Sequence, residues 1–261
     1  MTSEFVHLHN HSDYSLLDGA QTVQTLVNTV DDLGMDSVAL TEHGNMFSVI
    51  PYYKSAKLAG IKPIIGCETY VAVGSRFDKK PRSDGGWGNN HLVLLAKDYK
   101  GYQNLMKLVT HGYLEGFYYR PRIDIELLQK YNEGLICLSG CLKGEIPERM
   151  LKDDWNGAKE AALRFSEIFP DRFYLEIQNH GIPDEEQNIK NIKKLSSELD
   201  IPMVCTNDAH YAKHEHWEAH DVHICLGTGK DRNDPNRLRY ATPEFYFKSQ
   251  DQMFELFKDI P

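Results

Sequence analysis

The sequence lacks any long hydrophobic run, and no stretch approaches the roughly 18 to 20 apolar residues needed to cross a bilayer. Its N-terminus has neither the basic nor the apolar region of a secretory signal. The five cysteines include no Cys-x-x-Cys pair, and a small odd number of thiols argues against a disulfide framework. We therefore predict a cytoplasmic protein with free, mostly buried thiols and no membrane partner.

Positive charge is also scarce, since the formal net charge is −9. The chain as a whole lacks the basic surface that a protein needs to grip phosphate backbones unaided. Any nucleic acid must be held locally, and three basic runs could do so, at residues 79–82, 120–122 and 230–239. Such runs are more often solvated loop surface.

No glycine-rich phosphate-binding turn is present, neither Gly-x-Gly-x-x-Gly nor a Walker A motif. A doubly wound nucleotide-binding sheet would usually carry such a turn after its first strand. The residues that are present alternate between strand-like apolar runs and helical periodicity, and this alternation predicts an α/β fold of the (β/α) barrel type. We expect residues 1–261 to form a single domain.

The predicted helices end at glycine or proline, the usual helix terminators, and cover residues 22–33, 48–59, 102–114, 158–169 and 184–199. Seven strands are predicted, at residues 5–9, 37–41, 63–70, 91–96, 135–139, 173–177 and 203–206. The long polar loop 74–90 precedes one of them, where a flap over an active site would be useful.

Residue types that bind metals follow most of these strands. Residues two apart on a strand share a face, so His9 and His11 could present two imidazoles to one ion. Asp208 and His210 repeat that spacing. The full set of candidate ligands is His9, His11, Asp18, His43, Glu68, His91, Cys141, Asp208 and His210. His91 starts its strand instead of ending it, so its place at the same rim is the weakest part of the argument.

Each of these residues has a simpler interpretation when it is taken alone. A single histidine is more often a hydrogen-bonded structural residue than a ligand, and a single cysteine is more often a small buried hydrophobe. Their joint placement after successive strands favours a metal site. Nine ligands exceed the needs of one tetrahedral ion, so the pattern predicts two or three metals, with Glu68 suited to bridge them.

The other seven histidines lack this placement, and we interpret them as structural or surface residues. Three of them have helical spacing, and we expect them to lie on a solvated helix face. The seven are His7, His111, His180, His214, His216, His220 and His223.

Longer motifs resemble the polymerase and histidinol phosphatase (PHP) domain at the N-terminus of bacterial DNA polymerase III alpha subunits. The resemblance covers essentially the whole chain. Its main motifs are Phe5-Val6-His7-Leu8-His9-Asn10-His11, Thr41-Glu42-His43-Gly44, Gly66-Cys67-Glu68, Gly116-Phe117-Tyr118-Tyr119-Arg120-Pro121-Arg122, Leu138-Ser139-Gly140-Cys141 and Asn207-Asp208-Ala209-His210-Tyr211. The runs Gly116-Phe117-Tyr118-Tyr119-Arg120-Pro121-Arg122 and Asn207-Asp208-Ala209-His210-Tyr211 resemble the replicative polymerase branch more than small phosphatases.

The resemblance implies a distorted seven-stranded (β/α) barrel that holds three divalent metal ions, zinc or manganese. One ion would take His9, His11, Glu68 and Asp208; a second would share Glu68 and add His91 and Cys141; the third would take Asp18, His43 and His210. A metal-bridging hydroxide would then attack the substrate, with Glu68 and Asp208 the most critical ligands.

The activity that this resemblance implies is a metal-dependent 3′ to 5′ exonuclease that proofreads DNA ends. Its partners would be the DNA 3′ end, the polymerase core of a parent DNA-directed DNA polymerase, and other replisome subunits. The palm, fingers and thumb are absent from these 261 residues. Two alternatives remain open: a small-molecule phosphatase resembling histidinol phosphatase, and a metal-stabilised scaffold that supports the polymerase body or a proofreading subunit.

Overall fold

The structure is a computed structural model that describes residues 4–81 and 88–260. The chain forms a mixed α/β fold around one curled sheet, as predicted. Its strands are β1 (Ser37–Leu40), β2 (Lys62–Ala72), β3 (Asn89–Ala96), β4 (Arg122–Ile123), β5 (Leu135–Leu138), β6 (Phe173–Ile177) and β7 (Met203–Cys205). Its helices are α1 (Val23–Asp32), α2 (Val49–Leu58), α3 (Tyr99–Leu114), α4 (Ile125–Tyr131), α5 (Glu145–Leu151), α6 (Trp155–Ile168), α7 (Pro183–Leu199), α8 (Trp217–Thr228) and α9 (Gln250–Leu256).

The sheet order is β1-β2-β3-β5-β6-β7, with β4 beside β2. β3 runs antiparallel to both β2 and β5, whereas the remaining pairs are parallel. Side chains from β1, β3 and β5 pack in one cluster with side chains from β2, β6 and β7. Six strands can meet in one cluster only if the sheet curls around it. The strands therefore form a half-barrel whose interior is filled.

The predicted strand at residues 5–9 is wrong as a strand assignment. This segment is extended but makes irregular contacts. Ala39 of β1 donates to the carbonyl of His7, and His11 donates to the carbonyl of Ala209 beyond β7. The segment nevertheless lies between the two ends of the strand order, because it bonds to β1 on one side and to the chain beyond β7 on the other. The seventh strand is instead the short β4, which was not predicted.

The five predicted helices are present with small shifts at their ends. In α1 the apolar residues recur at helical spacing, so Leu26, Val27 and Val30 are fully buried, and the Thr22 side chain caps the first turn by accepting from the amide of Thr25. Helices α4, α5 and α9 were not predicted, and α8 was indicated only by the helical spacing of His216, His220 and His223. The three unpredicted helices have only seven residues each, too few to show a clear period.

Within the described residues, no helix is long and apolar enough to cross a membrane. All five cysteines are free thiols. Residues 82–87 of the predicted flap lie outside the described part of the chain. Before them, Arg76 holds the loop to the body through its contacts with Asp124 and Glu115.

Candidate metal centre

The nine side chains predicted as metal ligands converge on one edge of the half-barrel. The extended N-terminal segment and the turn after it carry three of them, while loops after β1, β5 and β7 carry four. The other two lie in strands β2 and β3. The nine are His9, His11, Asp18, His43, Glu68, His91, Cys141, Asp208 and His210, and they form one connected network of contacts.

Antiparallel pairing explains the position of His91. Since β3 runs against β2, the start of β3 lies at the edge where the parallel strands end. Tyr70 of β2 is the register partner of His91, two residues beyond Glu68. A residue that opens its strand can therefore reach the same site as residues that follow theirs.

Glu68 lies at the centre of the cluster. One carboxylate oxygen, Oε1, is 2.7 Å from Nδ1 of His91, 3.4 Å from Nε2 of His9 and 3.8 Å from Sγ of Cys141. The other oxygen, Oε2, faces Nδ1 of His43 and lies 3.7 Å from Nε2 of His11. This buried carboxylate contacts residues from every part of the cluster, which is the arrangement expected of a bridging ligand.

Asp208 forms a second centre of contacts. Its Oδ1 is 3.0 Å from Nε2 of His11, 3.3 Å from Nε2 of His9 and 3.6 Å from Nδ1 of His210. The residue has a φ of 46°, in the left-handed region that aspartate tolerates better than most residues. Backbone strain of this kind is concentrated at functional sites.

Burial and opposite charge compete in setting the ionisation of the carboxylates. Burial by itself would raise the pKa of Glu68, but His91, His43 and His9 lower it well below its ordinary value. Asp208 follows the same pattern, with His9 and His210 opposing the effect of burial and lowering its pKa. Both groups are therefore anionic, and the site demands compensating positive charge.

The histidines divide into two groups. Burial would lower the pKa of His9, but the carboxylates of Asp208, Glu176 and Glu68 raise it well above 6.5. Burial lowers the pKa of His210 to about 3, so this imidazole is neutral. Its Nδ1 donates to the backbone carbonyl of Asp208 at 2.7 Å, which leaves the Nε2 lone pair directed into the cluster.

Several buried polar atoms in the cluster form no well-directed hydrogen bond, although they lie against oppositely charged side chains. Such atoms are costly unless something else satisfies them. They are Nε2 of His9 and His11, Oδ1 of Asp18 and Asp208, both ring nitrogens of His43, and Oε2 of Glu68. Three groups of donors each lie within 4.8 Å of one another: His9, His11 and Asp208; His43, Glu68 and His91; His11, His43 and His210. His11 and His43 each belong to two of these groups, so the possible cation ligands form one contiguous cluster.

Cys141 lies at the edge of the cluster in a setting that does not favour a nucleophile. Its sulfur lies 3.7 Å from Nδ1 of His91 and near Glu68. Burial, together with the charges of Glu68 and Asp208, raises the pKa of the thiol well above its ordinary value. A protonated thiol is a poor nucleophile, whereas metal coordination would favour the thiolate.

Glu176 on β6 was not predicted, yet it fixes the orientation of His9. Its Oε1 lies 2.7 Å from Nδ1 of His9, and its other oxygen accepts from the amide of Gly140. A carboxylate behind a ligating histidine sets the tautomer and raises ligand basicity. The sequence did contain a signal for this role. Glu176 lies within the predicted strand Phe173–Ile177, and a charged side chain that is buried in a strand must have a partner.

Tyr240 was also missed. Its hydroxyl lies 2.8 Å from Nε2 of His210 and 3.4 Å from Oδ2 of Asp18. Burial and the nearby Asp18 carboxylate raise the pKa of this phenol well above 10, so it remains a hydrogen-bond donor. The residue belongs to the segment 229–241, which we call the strap. No sequence motif near it indicated that it would lie at the site.

The prediction of a solvated helix face is wrong for His220. This residue of α8 is buried, and its Nε2 lies 2.7 Å from the backbone carbonyl of Asp18. Its ring centroid is 4.8 Å from that of Tyr240. The helical spacing correctly predicted a helix, but His220 lies on the side of α8 that packs against Asp18 and Tyr240, so it is buried beside the candidate metal centre.

Comparison with known proteins shows one consistent family. A model of the PHP domain matches residues 7–180. DNA polymerase III subunit alpha of Borreliella burgdorferi is 50% identical over 99% of this chain, and that of Treponema pallidum is 48% identical over 98%. The chain spans 22% of the length of each of these relatives.

A solved structure shows the same fold at much lower identity. It is that of a candidate metal-dependent phosphoesterase from Bifidobacterium adolescentis, with a TM-score of 0.51 and 12% identity. The alignment covers 97% of this chain and 95% of that one. At this identity the likeness concerns the fold alone.

Proposed function

Since the chain belongs to the PHP domain family and matches a segment of DNA polymerase III alpha subunits, we propose that it is a metal-dependent 3′ to 5′ exonuclease acting on DNA ends. One observation carries the proposal: nine ligand-type side chains meet, and six of them direct buried polar atoms inward that form no well-directed hydrogen bond. A purely structural cluster of hydrogen bonds would satisfy those atoms internally.

The donor set suits three divalent ions. Imidazole nitrogens dominate, with carboxylate oxygens and one sulfur, a mixture that fits zinc or manganese. We propose that His9, His11, Glu68 and Asp208 hold one ion, that Glu68, His91 and Cys141 hold a second, and that Asp18, His43 and His210 hold the third.

Bound ions would supply an activated water and neutralise charge on the phosphodiester. The chain's own residues prepare the site for them. Glu176 orients His9, Glu68 contacts side chains proposed for all three ions, and Tyr240 keeps a proton directed at His210 and Asp18. No protein nucleophile is needed, in agreement with the raised thiol pKa of Cys141.

We further propose that the domain works in the cytoplasm beside a polymerase core in the same polypeptide and with other replisome subunits. The similarity to alpha subunits that are several times longer supports this arrangement. Removal of nucleotides from a DNA 3′ end would then serve proofreading.

The test is release of nucleotides from 3′-labelled single-stranded and mismatched DNA by the wild type and by Asp208→Asn. Loss of a ligand should reduce the rate by at least about a hundredfold, because the metals supply most of the charge stabilisation. Asp200→Asn is the matched control: Asp200 is exposed and also has a positive φ, of 55°. Equal rates in the wild type and Asp208→Asn would refute the proposal. The activity must also rise and fall with the amount of bound metal, which excludes a contaminating nuclease.

The same experiment separates the two alternatives. Hydrolysis of phosphate monoesters with DNA ends left intact would favour a small-molecule phosphatase. Metal binding that stabilises the fold without any hydrolysis would favour a scaffold.

A further inference from the structure

A loop rich in aromatic residues lies beside the metal centre. The ring of Tyr70 is 5.2 Å from that of His91 and 6.4 Å from that of His43, between centroids. The guanidinium of Arg120 lies over the ring of Tyr70, and the central carbon of the guanidinium is 5.8 Å from the ring centroid. Arg120 is exposed, so a cation is placed one ring away from two of the proposed ligands.

The loop, residues 116–122, is locked in place from behind. A side-chain carbon added to Gly44 would come within 2.9 Å of Pro121 and 2.7 Å of Tyr70, so the loop packs directly on the turn that follows His43. Arg122 is buried and donates to the backbone carbonyls of Gly116, Arg76 and Asp78. Of the basic run 120–122, only Arg120 is therefore available to a ligand.

Tyr119 occupies a conformation that tyrosine rarely adopts. Its φ is 59°, and the flanking turn is closed by the amide of Tyr118 donating to the carbonyl of Arg120 at 3.0 Å. The Tyr119 side chain is nevertheless 60% exposed. Glycine or asparagine would fit this backbone with less strain, so the fold holds an aromatic ring in solvent at an energetic cost.

Further exposed rings lie in the same loop and in the segment before α2. Phe117 is 48% exposed and Phe47 is 58% exposed. The ring of Tyr113 lies between them, 6.2 Å from Phe117 and 6.1 Å from Phe47. We call Phe47, Tyr113, Phe117, Tyr119 and Arg120 the aromatic track.

Resting on the proposed function, we propose that the aromatic track binds single-stranded DNA and leads its 3′ end to the metal centre. Exposed rings combined with a cation bind single strands, because bases stack on the rings while the cation takes a phosphate. In the described part of the chain no carboxylate pairs with Arg120, which leaves it available to a phosphate. A chain with a net charge of −9 needs such a local site.

Binding can be measured without hydrolysis, by fluorescence anisotropy of a 5′-labelled oligothymidylate in the presence of a chelator. Tyr119→Asn removes the ring and suits the left-handed backbone, so it should fold well. We expect Tyr119→Asn to weaken binding at least about fivefold, the loss typical of one stacked base. Arg120→Ala should weaken it similarly and reduce the slope of log affinity against log salt by about 0.7.

Matched controls lie elsewhere on the surface. Tyr99→Asn changes a tyrosine that is exposed at the start of α3, and Lys190→Ala removes an exposed cation from α7. Both should bind the oligonucleotide as the wild type does. Hydrolysis of a small phosphodiester such as bis(p-nitrophenyl) phosphate should be unchanged in Tyr99→Asn and Lys190→Ala, because both residues lie outside the track and the candidate metal centre.

The track proposal is overturned if both track variants bind like the controls, or if the wild type does not bind the oligonucleotide. In those cases the rings serve a different partner, such as another protein surface. DNA hydrolysis together with unchanged binding in the variants refutes the track but leaves the proposed function standing. Binding that depends on the track, without any hydrolysis by the wild type, supports the track and refutes the exonuclease.

Discussion

The hydroxyl of Tyr240 competes for the position where a cation would bind His210. Because Nδ1 of His210 donates to a backbone carbonyl, Nε2 accepts, and the phenol must be the donor across the 2.8 Å contact. A metal ion needs the same lone pair. A cation bound to His210 would therefore have to displace the hydroxyl of Tyr240 from this lone pair.

Replacing Tyr240 with phenylalanine should tighten metal binding. The change removes one hydrogen bond that metal binding has to break, with a net worth of about 0.5 to 1.5 kcal/mol, or roughly two- to twelvefold in affinity. The ring would keep its edge contact with Phe245. Competition with a chelating dye measures the affinity. Tyr246→Phe, a tyrosine away from the cluster, is the control, and weaker metal binding by Tyr240→Phe would contradict this account.

Single residues also mark where sequence reasoning failed. His9 and Asp208 could be proposed because metals prefer their donor atoms and their spacing is visible in the chain. Glu176 and Tyr240 could not, since each contacts a residue at least 30 positions away. Their roles depend on which strand and which loop the fold brings beside the ligands.

At the scale of elements, the direction of β3 decides the position of His91. Periodicity predicts that a strand exists but not whether it runs parallel to its neighbours. An all-parallel barrel would place the start of β3 at the far edge from Glu68. The antiparallel pairing of Glu68 with Val93 instead puts His91 beside the carboxylate.

The strap 229–241 is held to α8 by a buried ion pair. Arg237 donates to both oxygens of Asp221, at 2.6 and 2.7 Å, and both side chains are almost completely buried. Neutralising Asp221 would leave a buried guanidinium without its counter-ion, which is strongly unfavourable. This pair therefore controls how firmly the strap holds Tyr240 over the metal centre.

We expect Asp221→Asn to loosen the strap, with severalfold faster tryptic cleavage between residues 229 and 241. Asp234→Asn is the control, since Asp234 lies in the same strap, where it forms a surface pair with Lys230 and accepts from the amide of Asn236. Hydrogen exchange of the same segment provides a second measurement. Equal cleavage of the wild type and Asp221→Asn would show that other contacts hold the strap.

The same pair predicts how acid affects the strap. The hydrogen bonds from Arg237 lower the pKa of Asp221 below its ordinary value. A group whose folded pKa is depressed stabilises the fold above its unfolded pKa of about 3.9, and this stabilisation is lost as the pH falls through the folded value. The wild-type strap should therefore become more exchangeable only below about pH 4, whereas Asp221→Asn should be insensitive in that range.

For the whole molecule, metal binding should raise thermal stability. The ligands come from segments between residues 9 and 210, so ions would join parts of the chain that are distant in sequence. An ion at a hundred times its dissociation constant adds about 2.7 kcal/mol, which corresponds to roughly 5 to 10 °C in Tm for a chain of this size.

Calorimetry with zinc or manganese, before and after chelation, measures this shift. Asp208→Asn should lose most of the shift, while Asp200→Asn should keep it. An equal rise in both variants would mean that the ions bind elsewhere.

The sequence by itself determined the fold class, the positions of the longer helices and the set of candidate ligands. Those properties depend on local periodicity, on helix terminators and on the preference of metals for particular donor atoms, all of which can be read along the chain. Only the tertiary structure decided the direction of β3, the partner of His9, the burial of His220 and the exposure of Tyr119. Each of these depends on contacts between distant segments, and packing of the curled sheet fixes which segments meet.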